Sequence, residues 1–233
     1  MNYKNLVLFD LDHTLLPIDS DYQWASFLAK TGRAGTSPEE AIKINDDLMD
    51  QYNKGTLTAN QSAEFMLKLL SINSTYNLAL WHEEFMRNIV RPNITESAVK
   101  LVQEHLESGA VCAIVTATNN FVTEPIARAF GIKNLIATEA EYTMGRFTGR
   151  ILGTPSFREG KVIRVNKWLS NIGYKIQDFH NSFFYSDSIN DLPLMELVTN
   201  PIATNPSNKL RSLAADRKWE ILDIFDNFED FKS

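Results

Sequence analysis

Four consecutive apolar residues, Leu6-Val7-Leu8-Phe9, run straight into Asp10-Leu11-Asp12-His13-Thr14. An unbroken apolar run of this length is expected of a strand covered on both faces, and such strands belong to parallel sheets flanked by helices. A strand with one wet face would alternate, and this one does not. Two acids directly after a buried strand have no evident packing use. At the carboxyl end of a parallel strand they stand where open α/β sheets bind ligands. Asp10 and Asp12 are two residues apart and share a face if the strand continues. The pair invites a divalent cation and a nucleophile–acid partnership.

The second half of the chain repeats the theme. Short apolar runs at Ala110–Val115, Leu135–Ala137, Ser182–Tyr185, Pro201–Ala203 and Trp219–Leu222 read as strands. Amphipathic stretches at Phe121–Phe130, Glu159–Asn171, Leu192–Leu197 and Asn208–Ala215 read as helices between them. This alternation predicts a parallel, Rossmann-like sheet with crossover helices. Gly145, between short alternating runs in Glu141–Gly149, predicts a small hairpin.

Residues 17–91 differ. Pro17 breaks the chain just after the acidic motif, and four helical patterns follow, near Asp21–Thr31, Pro38–Lys54, Ala59–Leu70 and Thr75–Ile89. Ser37-Pro38-Glu39-Glu40 is a helix start, and Thr58 with Gln61 is a capping box. Arg91-Pro92-Asn93 punctuates the end. The expected organisation is an α/β core of residues 1–16 plus 92–233, with an all-helical cap inserted at 17–91.

Composition narrows the function. With 23 basic and 29 acidic residues the formal charge is −6, which argues against nucleic acid or an anionic membrane as partner. The one cysteine, Cys112, lies in an apolar run and reads as a core residue. A single cysteine forms no intrachain disulfide, and neither a signal peptide nor a stretch of ~20 apolar residues is evident, so a cytoplasmic protein is expected.

Four elements at strand ends or helix starts carry chemistry. They are Asp10-x-Asp12-x-Thr14, the hydroxyl-rich Thr116-Ala117-Thr118-Asn119, Lys161 after Gly160, and Asp187-Ser-Ile-Asn190-Asp191. Taken singly, each has a plain alternative: a helix cap for Thr116 or Thr118, a solvated lysine, turn residues for Asp187 and Asp191. A helix start with free N–H groups also suits an anion. In this order the four together resemble the haloacid dehalogenase superfamily of phosphohydrolases. The resemblance spans Asp10 to Pro193, with the helical insertion where that superfamily places its C1 cap, and its flavour is that of the phosphoserine-phosphatase-like subfamily.

The resemblance implies roles. Asp10 would be the nucleophile that forms an aspartyl-phosphate, and Asp12 the acid and base serving the leaving alcohol and the water. Thr116, with backbone N–H groups of the following turn at Ala117, would hold phosphoryl oxygens, and Asn190 would bond nearby. Lys161 would neutralise the phosphoryl group and Asp10. Mg²⁺ would be held by the Asp10 side chain, the Asp12 backbone carbonyl and Asp187, with Asp191 a further ligand or orienting one.

The cap would choose the leaving group. Phosphoserine phosphatases carry a glutamate nine residues after the nucleophile that contacts the substrate amine; here Asp19 has that spacing, although it also suits an N-cap. Their cap arginine for the substrate carboxylate has no clear counterpart, since Arg33 is the only arginine between Asp19 and Tyr52. That departure leaves room for histidinol phosphate, which has an amine and no carboxylate. Trp24 is the cap aromatic expected to wall the pocket. The expected protein is a Mg²⁺-dependent phosphatase of a small phosphorylated metabolite, monomeric or homodimeric. The alternatives are phosphoserine or another small ester as substrate, a phosphomutase, and a non-catalytic phosphate-binding module.

Overall fold

The structure is a computed structural model that describes residues 5–54, 56 and 58–225. In chain order its strands are β1 (Asn5–Phe9), β2 (Val111–Asn119), β3 (Asn134–Thr138), β4 (Ala140–Thr143), β5 (Arg146–Ile151), β6 (Asn181–Ser186), β7 (Asn200–Thr204) and β8 (Glu220–Leu222). Six of them form a parallel sheet of order β3-β2-β1-β6-β7-β8. The apolar run at the N-terminus is thus a central strand. Leu6, Val7, Leu8 and Phe9 are wholly buried, each side chain contributing about 1.5–3 kcal/mol relative to exposure.

The sheet's two faces sort the run by alternation. Val7 and Phe9 join Cys112, Ile114, Tyr185 and Ile202 in one apolar cluster, while Leu6 and Leu8 join Val111, Ala113, Val115, Phe184 and Ala203 in another. Cys112 is a core residue whose thiol burial pushes up to about 12.

Helices α1 (Ser20–Lys30), α2 (Pro38–Asn53), α3 (Ala59–Ser71) and α4 (Thr75–Phe85) follow one another between β1 and β2. The Thr58–Gln61 capping box is formed at the start of α3. The helix expected to reach Ile89 instead stops at Phe85 and passes through a π turn, Met86–Val90, and a 3₁₀ turn, Arg91–Asn93. Pro92 supplies the reason, having no N–H to extend the helix and crowding the residue before it. This segment does not keep a separate core. Trp24, Leu28, Leu67 and Phe85 belong to the same cluster as Val7 and Phe9 of the sheet.

The core helices are α5 (Glu96–Glu107), α6 (Asn120–Ala129), α7 (Glu159–Asn171), the short α8 (Leu192–Met195) and α9 (Asn208–Arg217). Helix α5 was not among the expected elements, although Thr95 caps it on Ala98. The β4–β5 hairpin turns at Met144 and Gly145, both at positive φ (49° and 79°), and lies along α3.

Register places the site. Phe9 pairs with Ile114 on one side and Tyr185 on the other. The residues just beyond, Asp10, Thr116 and Asp187, therefore emerge together. They do so where the chain order switches sides of β1, the usual ligand crevice of such sheets.

Candidate active site

Asp10 leaves β1 with its N–H on the Tyr185 carbonyl at 2.9 Å. Lys161, from the first turn of α7, lies between two acids: its Nζ is 2.8 Å from Asp10 Oδ1 and 2.7 Å from Asp191 Oδ2. All three are buried. Ser186 Oγ also donates to Asp191 Oδ2, at 2.7 Å. The surface-lysine alternative is excluded, because Lys161 is 2% exposed. Burial alone would lower the lysine's pKa, but the two carboxylates outweigh it and hold the ammonium charged. Burial raises Asp10 to about 6 despite Lys161.

Gly160 makes this placement possible. A Cβ built on it would stand 2.0 Å from the Pro155 carbonyl oxygen. Only glycine lets the start of α7 approach that backbone and deliver Lys161.

Asp12 is held by a separate set. Its Oδ1 accepts from Ser20 N at 2.8 Å, and its Oδ2 from Thr118 Oγ1 at 2.8 Å. Burial, then the charge of Asp19, raises its carboxyl to about 7. Thr116 Oγ1 accepts from Thr118 N at 3.2 Å, and the ladder to β3 shifts register between Val115 and Asn119. β2 is thus longer than expected: its end continues as an extended bulge through Thr116-Ala117-Thr118, and Asn119 caps α6. Ala117 is exposed there.

Asp187 is tied to the first loop, accepting Thr14 Oγ1 at 3.3 Å on its side chain while its N–H donates back to that hydroxyl at 3.0 Å. Asn190 is near but engaged, its Oδ1 accepting from Arg158 Nε at 3.1 Å and Nη2 at 3.0 Å. Asp19 is the N-cap of α1, accepting from Tyr22 N at 2.8 Å, and its charge also acts on Asp12 and Asp21.

One expectation, for Trp24, is corrected. Trp24 is wholly buried, enclosed by Phe27, His82, Phe85 and Phe121, and packs the cap rather than walling a pocket. Arg33 is spent inside the cap: it pairs with Glu84 at 2.8 Å and stacks over Phe27 and Trp81.

Sequence reasoning missed Asp21. It accepts from Asn119 Nδ2 at 2.9 Å and lies beside Thr118, the residue that also bonds Asp12. Burial, then the charges of Asp19 and Asp12, pushes its carboxyl up. Asp12, Asp19 and Asp21 thus face one region, and none has a Lys or Arg ion-pair partner among the described residues. The site has two halves, one holding Lys161 and one with no cation of its own. His82 and His105 take structural partners instead, the Val122 carbonyl and the Tyr185 hydroxyl.

Buried acids at the strand ends of an α/β core, joined by a buried lysine from the first turn of α7, are the features of a hydrolase. The chain belongs to the haloacid dehalogenase-like hydrolase family, whose model matches residues 7–196. It is 39% identical to a histidinol-phosphatase of Neisseria meningitidis serogroup C over 95% of this chain and 99% of that protein. It is 34% identical to phosphoserine phosphatase SerB1 of Mycobacterium tuberculosis, over 93% of this chain and 70% of that one. Among solved structures, a protein of unknown function from Bordetella pertussis Tohama I superposes with a TM-score of 0.93 at 63% identity, covering 96% of this chain and all of that one. A substrate-bound phosphoserine phosphatase shares the fold, with a TM-score of 0.65 at 19% identity over 99% and 97% of the two chains. The chain is an enzyme of this family's phosphatase type. No helix among the described residues is long and apolar enough to cross a membrane.

Proposed function

We propose that the chain is a Mg²⁺-dependent phosphomonoesterase that works through an aspartyl-phosphate on Asp10, and that its substrate is a small phosphorylated amino alcohol, with histidinol phosphate the leading candidate. The observation that carries the catalytic part is the buried Asp10–Lys161–Asp191 array with Asp12 held separately beside it. At neutral pH an Asp10 carboxyl near 6 is mostly ionised and fit to attack phosphorus. An Asp12 carboxyl near 7 is partly protonated and fit to give its proton to the departing alcohol oxygen. Asp12, now a carboxylate, takes a proton from the water that attacks the phosphoryl group on Asp10. The P–O bond to Asp10 breaks, phosphate leaves, and both acids are regenerated. Lys161 orients Asp10 and balances its charge, and Asp191 with Ser186 fixes Lys161. Thr116 and the exposed backbone at Ala117 hold phosphoryl oxygens, with Asn190 and its Arg158 partner at the rim.

The donor set fits a hard cation: carboxylates of Asp10 and Asp187 and the Asp12 carbonyl are all oxygen ligands. When bound there, Mg²⁺ supplies positive charge against the phosphoryl oxygens. Asp191 serves in this reading by orienting Lys161, since its Oδ2 already takes two hydrogen bonds.

The half without a cation supports the choice of leaving group. Asp12, Asp19 and Asp21 with no paired cation favour an alcohol that brings its own positive charge. Arg33 is engaged with Glu84, which removes the obvious partner for a substrate carboxylate. The test compares kcat/KM for histidinol phosphate and phosphoserine in the parent and in Asp21→Asn. The reading expects preference for histidinol phosphate, and a loss of about 10–100-fold on that substrate in the variant, as for a charge-assisted bond of about 1.5–3 kcal/mol. Equal use of both substrates, or an Asp21→Asn variant with unchanged discrimination, refutes the substrate assignment.

A further inference from the structure

The loop that carries both catalytic acids is an irregular turn. The N–H groups of Thr14, Leu15 and Leu16 converge on one acceptor, the Leu11 carbonyl, at 3.2, 2.8 and 3.0 Å. His13 within it sits at φ 59°, a left-handed conformation that is strained for a residue with a side chain unless its surroundings enforce it. The enforcing contact comes from the far end of the chain. Asn205, at the end of β7 and 1% exposed, donates from Nδ2 to the carbonyls of His13 and Thr14, each at 3.2 Å. Its Oδ1 accepts from Ile224 N at 2.8 Å and Phe225 N at 3.3 Å, and its own N–H donates to Leu222 O at 2.9 Å.

Asn205 is itself left-handed, at φ 45°. The position therefore asks for a side chain with two N–H donors, an acceptor and tolerance of that conformation. Asparagine meets all three demands, whereas aspartate has the shape without the donors. Two residues on, Ser207 N donates to the Asp187 carbonyl at 2.9 Å, and Asp187 N in turn donates to Thr14 Oγ1 at 3.0 Å. The turn at 205–207 thus touches both acidic loops and closes a ring of hydrogen bonds through Thr14.

We propose that Asn205 is a positioning residue for catalysis: its amide hydrogens on the His13 and Thr14 carbonyls fix the loop from Asp10 to Thr14, and with it the placement of Asp12 relative to Asp10. The inference rests on the phosphatase reading for its kinetic consequence but not for its structural one. Removing the two donors frees the loop and lowers kcat. It leaves KM nearly unchanged, because Asn205 touches no substrate-facing group.

Asn205→Asp is the sharpest variant. It keeps size, backbone tolerance and the acceptor for Ile224 and Phe225, and sets a carboxylate against two carbonyls. Asn205→Ser and Asn205→Ala are measured in parallel so that a fold failure of one leaves the others. Val102→Ala, a core truncation in α5 away from the site, controls for stability. The full-length proteins are assayed with p-nitrophenyl phosphate and Mg²⁺, and by hydrogen exchange of the Leu11–Leu16 amides without metal or substrate. The expected result is a kcat lowered about tenfold or more, as for a sub-ångström to ångström misplacement of reacting groups. KM should change little and exchange in Leu11–Leu16 should rise, while Val102→Ala changes neither kcat nor that exchange at a comparable fall in thermal midpoint. Asn205 variants whose kcat follows only their stability, or whose loop exchange equals that of the parent, overturn the proposal. If the parent hydrolyses no phosphate ester, the phosphatase reading fails, and loop exchange alone decides whether Asn205 holds the loop.

Discussion

Gly160→Ala is the smallest change that should disable the site. A Cβ at this position would lie 2.0 Å from the Pro155 oxygen and 3.3 Å from the Pro155 carbonyl carbon. Both groups are backbone, so neither can rotate away. Reaching an ordinary non-bonded separation requires the start of α7 to retreat by about 1 Å or more. Lys161 is the next residue, and its bonds of 2.8 and 2.7 Å to Asp10 and Asp191 cannot both survive that retreat without rebuilding. Overpacking of this sort costs about 1–3 kcal/mol, and a displacement of about 1 Å at a reacting group costs on the order of 10²-fold in rate. The assay is kcat with a phosphate ester alongside the thermal midpoint. Alanine normally improves a helix, by about 0.5–1 kcal/mol over glycine. A Gly160→Ala protein more stable than its parent, with full activity, would refute the reasoning about both the contact and Lys161.

Lys161→Met should destabilise by about 3–5 kcal/mol, because it leaves Asp10 and Asp191 buried without their cation. The defect should be largest at pH 8 and shrink toward pH 5, where Asp10 takes up a proton, and denaturant melts at the two pH values check this. In the metal-free parent, Asp10 and Asp12 have folded pKa values of about 6 and 7, raised above 3.8. Their contribution is therefore complete below pH 4 and lost as pH rises through 6 and 7. The thermal midpoint in chelator should fall over that range, and added Mg²⁺ should restore part of the loss. Trp24→Ala should cost about 3–5 kcal/mol as a core truncation. Its effect on KM should be small, and a large KM rise without destabilisation would return Trp24 to the pocket.

The groups that could be read from sequence are those whose signal is local. Asp10, Asp12 and Asp187 follow buried strands directly, and Lys161 begins an amphipathic helix, so a strand-then-acid pattern picks them out. The residues that escaped owe their roles to partners far along the chain. Asp21 meets Asn119, 98 residues away, and Asn205 meets His13, 192 residues away. Nothing near Asp21 distinguishes it from an ordinary first-turn acid of a helix, which is favoured there anyway. Gly160 was visible only as a residue before a lysine, since the carbonyl that forbids its side chain is a tertiary neighbour. Trp24 illustrates the opposite error: an aromatic close in sequence to the acids is wholly covered by the helices that pack on it. Helix α5 starts immediately after the Arg91-Pro92-Asn93 break, and a single cap, Thr95 on Ala98, is its local start signal.

In the proposed mechanism Asp10 carries the phosphoryl group. Rapid acid quench during turnover of histidinol phosphate with Mg²⁺, followed by mass spectrometry of the peptide containing Asp10, tests it most directly. One added phosphoryl group should appear on Asp10 before free phosphate, with both signals lost in Asp10→Asn. Phosphate released with Asp10 unmodified, or at an undiminished rate by Asp10→Asn, would contradict it.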